Sequence, residues 1–358
     1  MHAVYGSLDH LQSEAAGDDA GIAAKAGDTS GQSSFEYKKY RSHSNYRSAL
    51  GIRMKEVHNI ISGHMDDNNT VPIPGLIKTY YRQGGKDASS SNYVPQGICS
   101  TGRYWLFTAY DSNKECNSVI YVVDRESNKL ISTLTLPNKF HVGGIAFDGN
   151  NIWLPGETSD KYKGNPFVQY IQYDDFRNMI KDSIHEVKKS EISEYIYIKN
   201  KPSFLEYDNG KLWVGTYIGK KGTKEGYING YSVIEKDDGR ISLNTTLYSV
   251  ISGIDSSAQG AAIVGKYMYV SSSYKGSVAG VKSSFVTKYE ISPLKNGMNV
   301  LYVADREIKR IEVPKMNEEL FVEDGEIHIN FESAATAYLM PVIETDRILA
   351  LKKSLWEQ

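Results

Sequence analysis

The chain has 358 residues, 40% of them hydrophobic, and a formal net charge of −2. That length exceeds what one simple compact core uses, and so balanced a charge argues against a polyanion partner, nucleic acid included, and against a disordered polyelectrolyte. No run of 18 apolar residues occurs, so no membrane-spanning helix is expected, and no charged start followed by an apolar run marks a signal peptide.

Residues 1–34 are rich in Gly, Ala, Ser and Asp and offer little to bury, which reads as a disordered tail or leader. Residues 35–69 read as a helical extension and linker. Their start is basic and aromatic, with Lys38, Lys39, Arg41 and Arg47 among Tyr37, Tyr40 and Tyr46. A solvated lead-in to a helix accounts for this better than a nucleic-acid or lipid contact. Leu50, Met54, Val57 and Ile61 then recur at i, i+4, i+7 and i+11, one apolar face, with Ser48 as cap and Gly63 as stop. So short a helix needs a surface, and it is expected to dock on the rest of the chain or on a partner.

Residues 70–358 read as strands throughout. The first, LIKTYYR (Leu76–Arg82), has no earlier strand to pair with. Five strand–turn–strand stretches follow: PQGICSTGRYWLFTAY, VGGIAFDGNNIWLPGE, PSFLEYDNGKLWVGTY, QGAAIVGKYMYVSSS and NEELFVEDGEIHINFES. Their turn glycines, Gly102, Gly149, Gly210, Gly265 and Gly325, recur at separations of 47, 61, 55 and 60 residues, as the blades of a propeller do. Each stretch except the last is followed by two more strands: SVIYVVD and KLISTLTL; FVQYIQY and SEYIYI, with helical spacing at Phe176, Ile180 and Ile184 between them; YINGYSVI and TTLYSVI; FVTKYEIS and VLYVADREIKRIEVP. The last has only RILALKK, so LIKTYYR is expected as its fourth strand, closing the ring and removing two sheet edges. The fold class is therefore all-β: a five-bladed β-propeller closed by an N-terminal strand, with an N-terminal helix.

Trp105, Trp153 and Trp213 fall at the centres of second strands and read as packing between blades. Cys99 sits on an innermost strand and Cys116 in the loop at the far end of the same blade. An eight-residue strand spans roughly 25 Å, beyond the about 7 Å between Cα atoms that a disulfide bridges, so two free thiols are expected.

From Tyr93 onward, the copies PQGICSTGRYWLFTAYDS, GGIAFDGNNIWL, FLEYDNGKLWVGTY and LFVEDGEIHINFESAATAY followed by DRILAL resemble the five-unit propellers of secreted or surface-associated bacterial proteins, broadly similar to YVTN-type repeats. The resemblance implies the fold and a secreted or cell-surface location. It brings no catalytic residue, cofactor or ligand with it. The WD and His signature of WD-repeat propellers and the Gly-rich pattern of Kelch repeats are absent.

In a propeller, the loops leading into each innermost strand and those following each second strand share one face, around the mouth of the central channel. That geometry selects Gln96, His141, Lys201, Ser203, Gln259 and Glu318 from the first set, and Tyr110, Asp111, Glu157, Tyr217, Ser273, Tyr274 and Glu332 from the second. Gln96, Asp111, His141, Tyr217, Gln259, Tyr274 and Glu318 are the ligand-binding candidates. Gln96 and Gln259 equally suit a role tying neighbouring blades together, and His141, before two glycines, suits packing. Glu157 and Glu332 are the candidates for catalysis. Tyrosine, at 26 residues against 10 phenylalanines, suits both half-buried sheets and carbohydrate or protein contacts. The face loops GETSDKYKGNP, YIGKKGTKEG and SSYKGSVAGVKSS add glycine, lysine and serine.

HExxH, zinc-spaced cysteines, an EF-hand loop, a P-loop and GxSxG are all missing; no metal ligands stand out and the cofactor is left open. The first reading is a non-enzymatic propeller that recognises a glycan or a protein at the bacterial cell surface. The alternative is a glycan-cleaving hydrolase or lyase, which needs two carboxylates about 5 to 9.5 Å apart in the channel. A third is a scaffold that docks a partner through its N-terminal helix.

Overall fold

Each inner hairpin turns at a glycine with φ between +61° and +98°, a backbone region that residues with a Cβ avoid, so a strand–Gly–strand stretch folds back on itself. The computed structural model describes residues 40–157, 164–219, 223–273, 284–294, 301–338 and 343–357, all within one unit spanning residues 32–358. The expected tail, Tyr37 to Lys39, Tyr274 and parts of the three long face loops lie outside the described residues.

A short helix α1 (His43–Arg53) starts at Ser42, whose hydroxyl accepts from Asn45 N, and it ends at Met54, where α2 (Lys55–Ile61) begins. A hairpin of β1 (Thr79–Gln83) and β2 (Lys86–Ser90) follows. The first large sheet runs β3 (Tyr93–Ser100), β4 (Tyr104–Asp111), β5 (Val119–Asp124), β6 (Lys129–Thr135), each antiparallel to the next. The second runs β7 (Ala146–Phe147), β8 (Asn151–Glu157), β9 (Pro166–Gln172), β11 (Ile196–Tyr197). Its insertion forms α3 (Tyr173–Met179) and β10 (Ile184–Glu186), which adds in parallel to β6. Helical spacing thus ends at Met179, and Ile184 belongs to a strand.

The next eight strands are two further meanders: β12 (Phe204–Asp208), β13 (Lys211–Gly215), β14 (Gly226–Glu235) and β15 (Ile241–Ile254), then β16 (Ala258–Val264), β17 (Tyr267–Ser273), β18 (Ser284–Leu294) and β19 (Leu301–Val313). The outermost strands pair in parallel, Val250 to Ser252 of β15 against Leu301 to Val303 of β19, so the two form one eight-stranded sheet. The last sheet is β20 (Asn317–Glu323), β21 (Glu326–Phe331) and β22 (Leu349–Lys352).

The innermost strands pack beside one another in a closed cycle, β3 to β7, β12, β16, β20 and back to β3. An all-β chain of meanders set around a common axis is a β-propeller. Trp105, Trp153 and Trp213 are buried against the neighbouring sheet's apolar residues, and Cys99 and Cys116 are free thiols. No described helix is long and apolar enough to cross a membrane.

At the chain ends the structure differs from the expectation. β1, within LIKTYYR, turns at Gly84–Gly85 and pairs only with β2. The neighbour of β22 is instead the segment before it: Asp66 N donates to Ala350 O (2.9 Å), Ile73 N to Asp346 O (3.0 Å), and Ile348 N to Val71 O (2.9 Å). The turn that follows LIKTYYR decides this, since a two-residue glycine turn brings a local partner at small entropic cost. The helical segment is knit into the same body. Tyr46, Leu50, Val57 and Ile61 are buried in the largest apolar cluster, together with Leu349, Leu351 and Trp356. That face is consumed internally, so it is not a free docking surface for a partner. Arg347, fully buried, hydrogen-bonds Asp346 (2.7 Å), His43 Nδ1 (3.1 Å) and Tyr40 O (3.2 Å).

Candidate binding cavity

Three of the innermost strands lose register at the same point. The ladder slips between Pro95 and Ile98 in β3, between Ala258 and Gly260 in β16, and between Asn317 and Leu320 in β20. A bulge re-aims the side chains it carries, and Gln96, Gln259 and Glu318 all line one cavity. Hydroxyls on the second strands hold these bulges. Thr108 Oγ1 accepts from Gly97 N (2.8 Å) and donates to Val142 O (2.7 Å) in the next unit. Ser271 Oγ donates to Glu318 O (2.6 Å).

The cavity measures about 760 Å³. Tyr110, Phe140, His141, Tyr217 and Tyr338 give it aromatic walls, and the exposed Lys114, Lys139 and Lys201 line its outer part. His141 lies over Tyr110, ring centroids 4.3 Å apart. Tyr110 and Tyr338 are hydrogen-bonded; burial raises both hydroxyls above their usual range. Tyr217 bonds Ser257, and burial raises it too. Phe140, which lines the cavity, belongs to an aromatic cluster. Phe140 meets Phe167 edge-on at 5.2 Å, and Tyr195, half-exposed, stacks on Phe167 at 3.9 Å.

Two acids meet in the depth of this space. Glu318, only 3% exposed, is hydrogen-bonded to Glu332. Gln96 Nε2 donates to Glu332 Oε2 (3.1 Å) and Gln259 Nε2 to Glu318 Oε1 (3.2 Å). Burial, and then the Glu332 charge, pushes the Glu318 carboxyl well above the usual range. Two carboxyl groups bond each other only when one carries a proton, because an ionised carboxylate is acceptor-only. The contact thus goes with the protonated form of Glu318, the direction in which burial also pushes it. Glu157 stands apart from it, paired with Lys201 at 3.0 Å.

Next to Glu318 in the chain, Glu319 is fully buried and faces the other units. Its Oε2 accepts from Ile98 N (2.8 Å) and Ile145 N (2.9 Å), and its Oε1 from Leu205 N (2.9 Å). Burial pushes this carboxyl up, while the three backbone donors favour its anion. The approach needs missing side chains: a Cβ on Gly144 would sit 2.5 Å from Glu319 Oε1, and one on Gly97 2.9 Å from Oε2.

Of the residues selected from the sequence, Gln96, His141, Glu157, Tyr217, Gln259, Glu318 and Glu332 line this single cavity, with Tyr110, Lys201 and Ser203. Asp111 does not. It is buried, and its Oδ2 accepts from Glu115 N (2.7 Å) and Cys116 N (3.0 Å), so it shapes the β4–β5 loop from within. Gln96 and Gln259 line the cavity and bond across to Glu332, the residue after β21, and Glu318 of β20, which is the tying role envisaged for them. Sequence reading missed Lys114, Lys139, Tyr338 and Glu319. A signal for Glu319 existed: aligning PQG, VGG, AQG and NEE sets it where three other units carry Gly97, Gly144 and Gly260. Among the described residues no three His, Cys, Asp or Glu side chains converge to hold a metal.

No family model matches the chain, and no curated protein matches it. Among solved structures it is similar to Myxococcus xanthus glutaminyl cyclase, at 13% identity and a TM-score of 0.40, over 79% of this chain and 95% of that one. It is also similar to hydrazine synthase of Kuenenia stuttgartiensis, at 13% identity and a TM-score of 0.34, over 66% and 55% of the two chains. A nidogen/laminin complex gives 11% identity and a TM-score of 0.34, over 73% and 84%. Likeness at this level carries no argument about function, which rests on the side chains of the cavity.

Proposed function

We propose that the chain is a five-bladed β-propeller closed by its segment 65–73, and that its central cavity binds a glycan without cleaving it, at the bacterial cell surface. The observation that carries this reading is the cavity itself: about 760 Å³, within the range of small-ligand sites, with tyrosine walls and convergent carboxyl, amide and ammonium groups. A sugar ring offers an apolar C–H face to an aromatic wall and hydroxyls to the polar groups. A protein partner would need a broad, flatter surface of roughly 800 Å² on this side, which a concave pocket does not supply. Tyr195, half-exposed and backed by Phe167, is an aromatic ring on which a second sugar unit could rest.

Cleavage fits less well. The two deep acids touch through a hydrogen bond, whereas glycoside hydrolysis places its carboxyls about 5 to 9.5 Å apart, on either side of the bond. Glu157, the remaining acid, is engaged by Lys201.

A glycan array followed by mass spectrometry of the bound glycans tests the reading. Saturable binding with unchanged masses is expected, weakened about tenfold in Tyr217→Ala by loss of an aromatic contact worth on the order of 1 kcal/mol or more. Shortened glycans would transfer the site to the hydrolase alternative, and no retained glycan would end the proposal.

A further inference from the structure

The cavity is graded along its depth in a way that a neutral sugar does not use. Its deepest polar element is the Glu318–Glu332 pair, its walls are tyrosines, and its outer lining carries exposed lysines. A pair of carboxyls that shares one proton has room for one more positive charge: exchanging that proton for an ammonium leaves both groups ionised and gives each an N–H donor. Gln96 and Gln259 already hold one oxygen of each acid, so the pair is oriented before any ligand arrives. The rings of Tyr110, Tyr217 and Tyr338 add faces of the kind that attract a desolvated cation.

Building on the glycan reading, we infer that the ligand is an amino sugar with an unacylated amine, its ammonium seated on the Glu318–Glu332 pair between the tyrosine walls. Lys114 and Lys139 on the outer lining oppose a second ammonium there, so one buried amine with neutral sugar units beyond it fits better than a polyamine. Lys201 is neutralised by Glu157 (3.0 Å) and adds little to that field. The other titratable groups around the pair are Tyr110, Tyr338 and Tyr217, which stay protonated at neutral pH, and His141, whose charge opposes the ligand below its own pKa. Glu319 turns both carboxyl oxygens away from the pair, to the backbone amides of Ile98, Ile145 and Leu205.

The test is a calorimetric titration of the full chain with D-glucosamine, N-acetyl-D-glucosamine and D-glucose, near pH 6, in two buffers that differ in protonation enthalpy. Glucosamine should bind at least tenfold more tightly than the other two and release about one proton per site, the proton the pair had shared. Glu318→Gln, and separately Glu332→Gln on the less buried partner, should abolish both the preference for glucosamine and the proton release. Equal affinity for all three sugars, or tight glucosamine binding without proton release in the unmodified protein, overturns the amine inference and leaves the glycan reading standing. If none of the three binds and the array is also empty, both fall.

Discussion

Single residues in this protein titrate in opposite senses, and the signs follow from what surrounds each one. Glu318 holds its proton in the folded state far above the ordinary carboxylate value of 4.5, because burial and then Glu332 disfavour its anion. Its folded pKa is raised, so the native state binds more protons than the unfolded chain, and its contribution to stability falls as pH rises from about 4.5 toward the folded value. His328 does the reverse. Packed on Phe321 (4.7 Å) and Trp105 (5.0 Å), it is pushed down to about 3 by burial and then by Arg125. It stays neutral when folded and takes up a proton when unfolded, so stability is lost as pH falls from 6.5 toward about 3. Urea unfolding across pH 3.5 to 8 should show a flatter alkaline limb in Glu318→Gln and a flatter acid limb in His328→Phe. A variant that leaves its limb unchanged would mean that its group does not titrate as described. Neither sign was legible in the sequence, since EIHINF and NEELFV show only strand alternation. Which neighbours desolvate a residue is a tertiary fact.

At the scale of elements, the helical segment shows what periodicity does and does not reveal. The face of Leu50, Val57 and Ile61 was legible because spacings of four and three bring side chains to one side of a helix, and all three are buried. The start was not. Ser42 is the observed cap rather than Ser48, because the intervening residues carry no apolar repeat beyond Tyr46 to betray a helix. Strand partners are equally hidden. LIKTYYR alternates as a strand should, but alternation says nothing of which edge a strand meets. The attachment is structural: removing residues up to 65 strips Tyr46, Leu50, Val57 and Ile61 from the largest apolar cluster and leaves Arg347 without Tyr40 and His43. Leu50→Ala should lower the unfolding free energy by about 2–5 kcal/mol, whereas Ile52→Ala, 75% exposed one turn-position away, should change it by less than about 0.5 kcal/mol. Equal, small effects in a denaturant titration would show that the helix is only loosely attached.

For the whole molecule, the repeat was legible and its exceptions carry the interest. Three of the five hairpins bring a glycine to the axis, Gly97, Gly144 and Gly260, which leaves room for a side chain from another unit. Here one unit puts Glu319 where three others have Gly97, Gly144 and Gly260 and the remaining one has Phe204, and its carboxyl group reaches the amides of three other units. Because unpaired buried donors cost on the order of 1 kcal/mol or more each, Glu319→Ala should reduce stability by at least ~3 kcal/mol, measured by urea unfolding. A loss under about 1 kcal/mol would show that water replaces the carboxylate without penalty. The bulges that aim Gln96, Gln259 and Glu318 escaped sequence reading, since a slip in register leaves no trace in apolar alternation. The recurrence of Gln, Gln and Glu before Gly, Gly and Glu nevertheless marked where they fall.

The same contact has a meaning in time. A ribosome delivers Ile98, Ile145 and Leu205 well before it delivers Glu319, so a growing chain can assemble its earlier sheets while the amides at their shared axis still have no acceptor within the protein. The acid that joins them belongs to the last sheet made. An unfinished copy therefore differs from a finished one at its centre, where water and the wrong partners can enter, and not only at its trailing end.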